Sequence, residues 1–270
     1  MSELKPLTPP LKWAGGKRWL VPTLRKWYEP HRSRRLVEPF AGGLAVALGL
    51  LPERALLVDA NPHAIHFYQW LQRGLVIDQP MENNRAAYDA ARIRFNELTR
   101  LGNDDSQEAA ALFYYLNRTG FNGLCRFNRK GEFNVPFGRY KTINYRMDFR
   151  DYVAALSPWK FECADFEATR PAADDFVYAD PPYDVEFRQY SRGGFEWKEQ
   201  ERLAKWLLLH PGPVVASNQA TPRVMELYQS LGFRCFVVHG PRRISCDGDR
   251  TPAREMLATR NLPEASPEEA

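Results

Sequence analysis

Apolar positions along this chain fall into two kinds of pattern. Short unbroken runs bounded by Gly, Pro, Asn or Asp read as buried strands, and longer stretches with three- and four-residue spacing read as helices. "RLVEPF" (35–40) predicts a short buried strand. "AGGLAVALGLL" (41–51) comes next, small residues first and then a helical apolar run. "RALLVDA" (54–60) predicts a second strand, and "NPHAIHFYQWLQRG" (61–74) a helix opened by an Asn cap with Pro at its first position. Residues 82–101 and 106–117 predict two further helices. From 118 to 145 the texture changes to Gly, Asn, Arg and aromatics, with a hairpin expected around "NRKGEF". Alternation then returns: strands over 160–166 and 175–180, a helix over 198–210, a strand over 213–217, a helix over 222–232, and strands over 233–240 and 254–261. The order predicts an α/β fold: one sheet domain formed by residues 1–74 and 159–262, interrupted by an insertion at 75–158. Residues 263–270, rich in Glu, are expected to be a disordered acidic tail.

Composition narrows the class. Hydrophobic residues are 44% of the 270 and charged residues 26%, ordinary for a globular protein. The longest uncharged apolar run, 41–51, has 11 residues and is too short to span a bilayer. The N-terminus lacks the basic-then-apolar form of a signal peptide. The four cysteines are scattered with no C-x-x-C pair, so reduced thiols in a cytoplasmic protein are expected. The five histidines form no ligand-spaced cluster, and no metal is expected. Net charge is only +4, but it is uneven. Between 118 and 150 eight bases face two acids, and over 1–38 nine bases face three. Two basic blocks on a nearly neutral chain point to a polyanionic partner; a solvated basic surface is the alternative.

Three short stretches carry chemistry. In "VEPFAGG" (37–43) a strand runs into a glycine turn and then a helix, which lets backbone approach a ligand closely. Asp59, 21 residues after Glu38 at the end of the next strand, suits the hydroxyls of a ribose. The dinucleotide form G-x-G-x-x-G is absent, and a packing turn is the alternative. "LKWAGGK" (11–17) on its own is an ordinary surface loop. "DPPY" (180–183) is a rigid strand exit, because two prolines end the strand and stiffen the chain beyond it. Such a shelf suits a flat base held against Tyr183, with Asp180 and the carbonyl after it accepting the N–H groups of an exocyclic amine. An amine attacking a methyl sulfonium needs no strong base, since the leaving group is neutral. Placement can supply about 7–11 kcal/mol of the barrier. No Cys-His or Ser-His pairing lies near these stretches.

"KWAGGK", "EPFAGG", "LNRTGFNGLCRFNRKGEFNVPFGRYK" (116–141) and "DPPY", in that order, resemble the Dam-type family (D12 class, alpha group) of DNA adenine-N6 methyltransferases. The likeness covers about residues 10 to 260. It implies a Rossmann-like class I S-adenosylmethionine-dependent methyltransferase sheet with an inserted helical plus β-hairpin DNA-recognition domain. It implies transfer of a methyl group from S-adenosylmethionine to the N6 amine of a flipped adenine in double-stranded DNA, with GATC as the expected site. A longer site such as GATATC, cytosine N4 as the target, and an inactive DNA-binding relative are the alternatives. The resemblance assigns catalysis to Asp180, Pro181, Pro182 and Tyr183. It assigns the methyl donor to Trp13, Lys17, Phe40, Gly42, Asp59, Asp165, Phe166 and Asp180. Lys12 is expected on the DNA near the target, Arg126 on a guanine edge, and Leu124 and Pro136 on bases by apolar contact. Phe121 and Asn122 are expected near the vacated base. Arg118, Arg139 and Lys141 are expected on phosphates or in structural pairs. Two positions depart from the family pattern. Phe121 stands where Tyr is usual, and the turn reads "FAGGL" where F-x-G-x-G is common, so position 44 is not small. A palindromic site can be served by a monomer acting twice, and a monomer is expected. A bacterial or phage origin is implied, and a restriction partner is left open.

Overall fold

In the computed structural model the described residues are 7–183, 195–241 and 253–262. The tail expected over 263–270 lies outside them. The strands are β1 (Leu36–Glu38), β2 (Ala55–Asp59), β3 (Trp159–Cys163), β4 (Phe176–Ala179), β5 (Val214–Gln219), β6 (Arg234–Gly240) and β7 (Ala253–Arg260). The helices are α1 (Val21–Tyr28), α2 (Ala45–Leu50), α3 (Pro62–Gln72), α4 (Arg85–Arg100), α5 (Gln107–Thr119), α6 (Val153–Leu156), α7 (Trp197–Leu208) and α8 (Pro222–Ser230). One seven-stranded sheet runs in the order β3-β2-β1-β4-β5-β7-β6. β1 pairs in parallel with β2 and β4, and β4 with β5. β7 is antiparallel to both β5 and β6. The sheet is thus parallel over β2, β1, β4 and β5, with β7 antiparallel between β5 and β6, an α/β arrangement.

The chain divides into two compact units, one of residues 1–16, 42–49 and 61–163, the other of 17–41, 50–60 and 164–270. In the second, the central strands β1, β2 and β4 are buried almost throughout. Val37, Leu56, Val177, Val214 and Met256 pack with Leu203 and Leu207 of α7 and Tyr228 of α8. In the first, α3, α4 and α5 gather an aromatic core in which Phe67 stacks on Tyr114 at 5.7 Å and Phe95 meets Phe133 edge-on at 6.1 Å.

Side-chain caps fix where helices start. Asn61 accepts from the backbone N–H of His63 at 3.1 Å, Asn84 from Ala87 at 2.8 Å, and Ser106 from Ala109 at 3.2 Å. The Asn84 cap explains why α4 begins at Arg85 rather than at 82. Two expectations need correction, and one helix is new. The strand expected over 160–166 stops at Cys163, because the Asp165 carboxylate caps a 3-10 turn by accepting from Glu167 N at 2.9 Å. α5 continues to Thr119, so Arg118 lies on its last turn and not in the adjoining loop. α1 was not expected; Pro22 in its first turn starts it.

Candidate active site

β4 ends at Ala179, and the rigid Asp180-Pro181-Pro182-Tyr183 exit comes directly after it. Its backbone is braced: Gln200 on α7 donates to the Pro182 carbonyl at 2.9 Å, and Asn218 on β5 donates to the Gln200 side-chain oxygen at 2.9 Å. Asp180 is held from two sides on one oxygen. Lys17 Nζ lies 3.1 Å from Oδ1, and Ser217 Oγ donates to the same atom at 2.8 Å. Ser217 is in turn 2.9 Å from the Tyr178 hydroxyl. Among the described residues both partners occupy Oδ1, which leaves Oδ2 for an incoming N–H. Burial raises the Asp180 carboxyl above its ordinary value, while Lys17 and Ser217 pull the other way. Lys17 is only 2% exposed, so carboxylates rather than water surround its ammonium.

A second carboxylate completes this corner. Glu255 on β7 accepts from the Tyr183 hydroxyl at 2.6 Å and lies 3.8 Å from Lys17 Nζ. The Lys17 ammonium also sits over the Tyr183 ring, 4.7 Å from its centroid. Burial raises both the Tyr183 phenol and the Glu255 carboxyl. Glu255, Ser217, Gln200 and Asn218 were not anticipated from the sequence. The one available signal was an acid directly before the apolar run "MLA".

The same unit holds the aromatic candidates for a nucleoside. Phe40 lies 5.6 Å from Phe166 and 5.5 Å from Phe195. Asp59 ends β2, half-buried. Asp165 is exposed, and its carboxylate takes Arg202 at 2.7 and 2.8 Å as well as capping the turn that presents Phe166. In the other unit, Trp13 covers the glycine turn. A Cβ on Gly42 would lie 2.8 Å from Trp13 Nε1, and one on Gly43 would lie 2.7 Å from Trp13 Cβ. Gly42 has φ +47, and the Tyr68 hydroxyl donates to its carbonyl at 2.5 Å. Leu44, at the position where the family pattern is small, is fully buried with φ 57. The left-handed turn is therefore kept by a leucine, at about 1–2 kcal/mol of steric cost.

That unit also carries the candidate nucleic-acid interface, whose residues belong to one knot. Asn117 accepts from Lys12 N at 2.8 Å and donates to the carbonyls of Lys12 at 2.8 Å and Gly123 at 3.2 Å. Lys12 Nζ donates to the Arg118 carbonyl at 2.8 Å and lies 3.7 Å over the Tyr140 ring. Burial, with Arg118 nearby, lowers the Lys12 ammonium to about 8. Residues 120–138 fold back on themselves through bridges Gly120–Phe137 and Phe127–Phe133, which is the hairpin expected from "NRKGEF". Asn128 ties its tip by accepting from Lys130 N at 2.9 Å and Glu132 N at 3.0 Å. α4 holds the returning limb: Tyr88 donates to the Val135 carbonyl at 2.8 Å, and Asn96 accepts from Phe133 N at 2.7 Å. Phe121 is 47% exposed beside Asn122, whose φ of 53 suits asparagine. Arg126 is exposed and donates from Nε to Asn134 at 2.9 Å. Arg118 gives two donors to the Asn144 carbonyl, at 2.8 and 3.1 Å. Leu124 is half-buried, and Pro136, Arg139 and Lys141 are exposed.

Comparison with known proteins identifies the family. The family model for D12 class N6 adenine-specific DNA methyltransferases matches residues 13–244. A DNA adenine methylase of Vibrio cholerae is 36% identical over 272 residues, covering 92% of this chain and 94% of the relative. The DNA adenine methylase of Escherichia coli K12 is 34% identical over 268 residues, covering 92% and 93%. A DNA N-6-adenine-methyltransferase of Escherichia phage P1 is 37% identical over 265 residues, 91% of this chain but 34% of that protein, so the chain spans about a third of it. A putative RNA methyltransferase from Pyrococcus horikoshii superimposes with a TM-score of 0.43 at 11% identity over 97% of this chain and 94% of that one. The braced DPPY exit, the glycine turn under a tryptophan and the hairpin knot thus sit in a chain that belongs to the D12 class of N6 adenine-specific DNA methyltransferases.

Proposed function

We propose that the protein transfers a methyl group from S-adenosylmethionine to the N6 amine of an adenine extruded from duplex DNA, within GATC. The observation that carries this reading is the corner at Asp180. Its carboxylate is fixed through Oδ1 by Lys17 and Ser217, with a tyrosine ring three residues on.

Asp180 and the Pro181 carbonyl accept the two N–H groups of the amine and draw its lone pair out of conjugation with the ring. Tyr183 offers the face on which the base stacks. The Asp180 carboxylate takes the proton that N6 loses once methylated. Positioning and electrostatics carry this chemistry. The residues of the second unit fit a nucleoside-bearing donor: half-buried Phe40 supplies an apolar face backed by buried Phe166, and Asp59 and Asp165 accept hydroxyl or amine hydrogens. S-adenosylmethionine, when bound, supplies an electrophilic methyl on a sulfonium that departs as a neutral thioether. A base inside a duplex is out of reach, and extrusion costs a few kcal/mol. Exposed Phe121 and Asn122 would fill the gap, Arg126 would read a guanine, Leu124 and Pro136 would touch bases, and Lys12, Arg139 and Lys141 would hold the backbone.

The test is incubation of unmethylated DNA with the protein and S-adenosylmethionine, then mass spectrometry of the nucleosides and methylation-state sequencing. N6-methyladenine confined to GATC is expected. N4-methylcytosine, or no methylation by protein shown to hold the donor, overturns the reaction. Methylation only at a longer site overturns the GATC assignment alone. Asp180→Ala is expected to abolish turnover and leave DNA binding intact.

A further inference from the structure

We propose that Glu255 is a positioning residue for methyl transfer: it anchors the Tyr183 phenol and so fixes the ring against which the extruded base stacks. The proposal rests on the reading of Asp180–Tyr183 as the base-binding corner.

Four observations support it. The Tyr183 hydroxyl donates to Glu255 Oε2 at 2.6 Å, a short charge-assisted bond. The carboxylate arises from a strand paired on both sides, 8% exposed, and the next three residues of that strand are fully buried. A buried carboxylate is costly unless partnered, and its partners here are the Tyr183 hydroxyl and, at 3.8 Å, Lys17 Nζ. Its seat is also built for it. Gly240, at the end of the neighbouring β6, leaves the room: a Cβ there would lie 2.9 Å from Glu255 Oε1 and 2.7 Å from Trp19 Cζ2. Finally, the ring is held at both ends. The backbone before the tyrosine is braced at the Pro182 carbonyl by Gln200, and the far end of its side chain is tied to Glu255. Lys17 lies over one face of the ring, 4.7 Å from its centroid, and the proposal places the base on the opposite face.

A ring displaced by about 1 Å places the amine wrongly for attack, and such errors can cost on the order of 100-fold. The test is a double-mutant cycle on the single-turnover rate of adenine methylation, with KM for DNA and thermal unfolding measured for each variant. Glu255→Gln and Tyr183→Phe are each expected to slow transfer about 10- to 100-fold with KM for DNA essentially unchanged. The double variant is expected to be no slower than the worse single variant, because both remove the same tether. Multiplicative losses would show Glu255 acting by another route, for instance through Lys17, and would overturn the proposal. Gly240→Ala crowds the carboxylate without changing it. It should reproduce the loss, and its effect should vanish in the Tyr183→Phe background, which keeps the test alive if Glu255→Gln fails to fold. The two readings separate cleanly. A wild-type protein that methylates no adenine removes the base-binding corner itself. A wild-type protein that methylates adenine while the losses multiply removes only the role of Glu255.

Discussion

Leu44 shows what a single residue can conceal. Its side chain is fully buried, yet its φ of 57 belongs to the region that favours glycine. Leu44→Ala loses the packing and keeps the strain, at about 2–5 kcal/mol. Leu44→Gly loses the same packing but relieves about 1 kcal/mol of strain. The glycine variant is therefore expected to be the more stable of the two, the reverse of the usual order, as read by urea unfolding. His63 makes the parallel case for charge. It stacks on Phe127 at 4.8 Å, meets Phe95 at 4.9 Å, and burial lowers it from 6.5 to about 4, against Asp104, which raises it, and with His66, which lowers it further. The unfolded chain then binds a proton that the folded one refuses. His63 thus contributes stability above pH 6.5 that is lost as pH falls toward 4, about 3 kcal/mol in all. Thermal melts between pH 7 and 4 should show the decline, and His63→Phe should flatten it.

At the scale of elements, the legible parts were those with local punctuation. Asn61-Pro62 announces α3, the paired prolines announce the end of β4, and the Asn and Gly of "NRKGEF" announce the hairpin, because each signal acts within a turn of chain. Glu255 was not legible, since its role depends on β7 lying between β5 and β6, and it reaches Tyr183 across 72 residues. Asp165 misled for the opposite reason: a local cap overrode an apolar run that looked like strand. The hairpin offers a prediction of its own. Arg126→Ala should relax choice at one base pair by about 1–3 kcal/mol while leaving phosphate-driven binding nearly intact. Asn128→Ala, which unties the tip that sets the Arg126 limb, should blunt the same discrimination. Competition binding with one-base variants of the site measures both.

For the whole molecule, charge placement matters more than net charge. The total is only +4, while eight bases crowd residues 118–150 against two acids. Binding to any duplex should weaken steeply with salt, and Lys141→Ala should lower the log–log slope by about 1 without altering sequence preference. Anisotropy titrations over a salt series check this. Strand order has a further consequence, in time rather than space. β7 is antiparallel to both β5 and β6, and it alone carries the carboxylate that tethers the phenol. While the ribosome has yet to deliver Ala253 and the rest of that strand, a nascent chain already contains both prolines of the exit and every residue of the hairpin. On the proposed role of Glu255, such a chain still lacks the tether for the phenol, and adenine methylation would wait on the synthesis of β7.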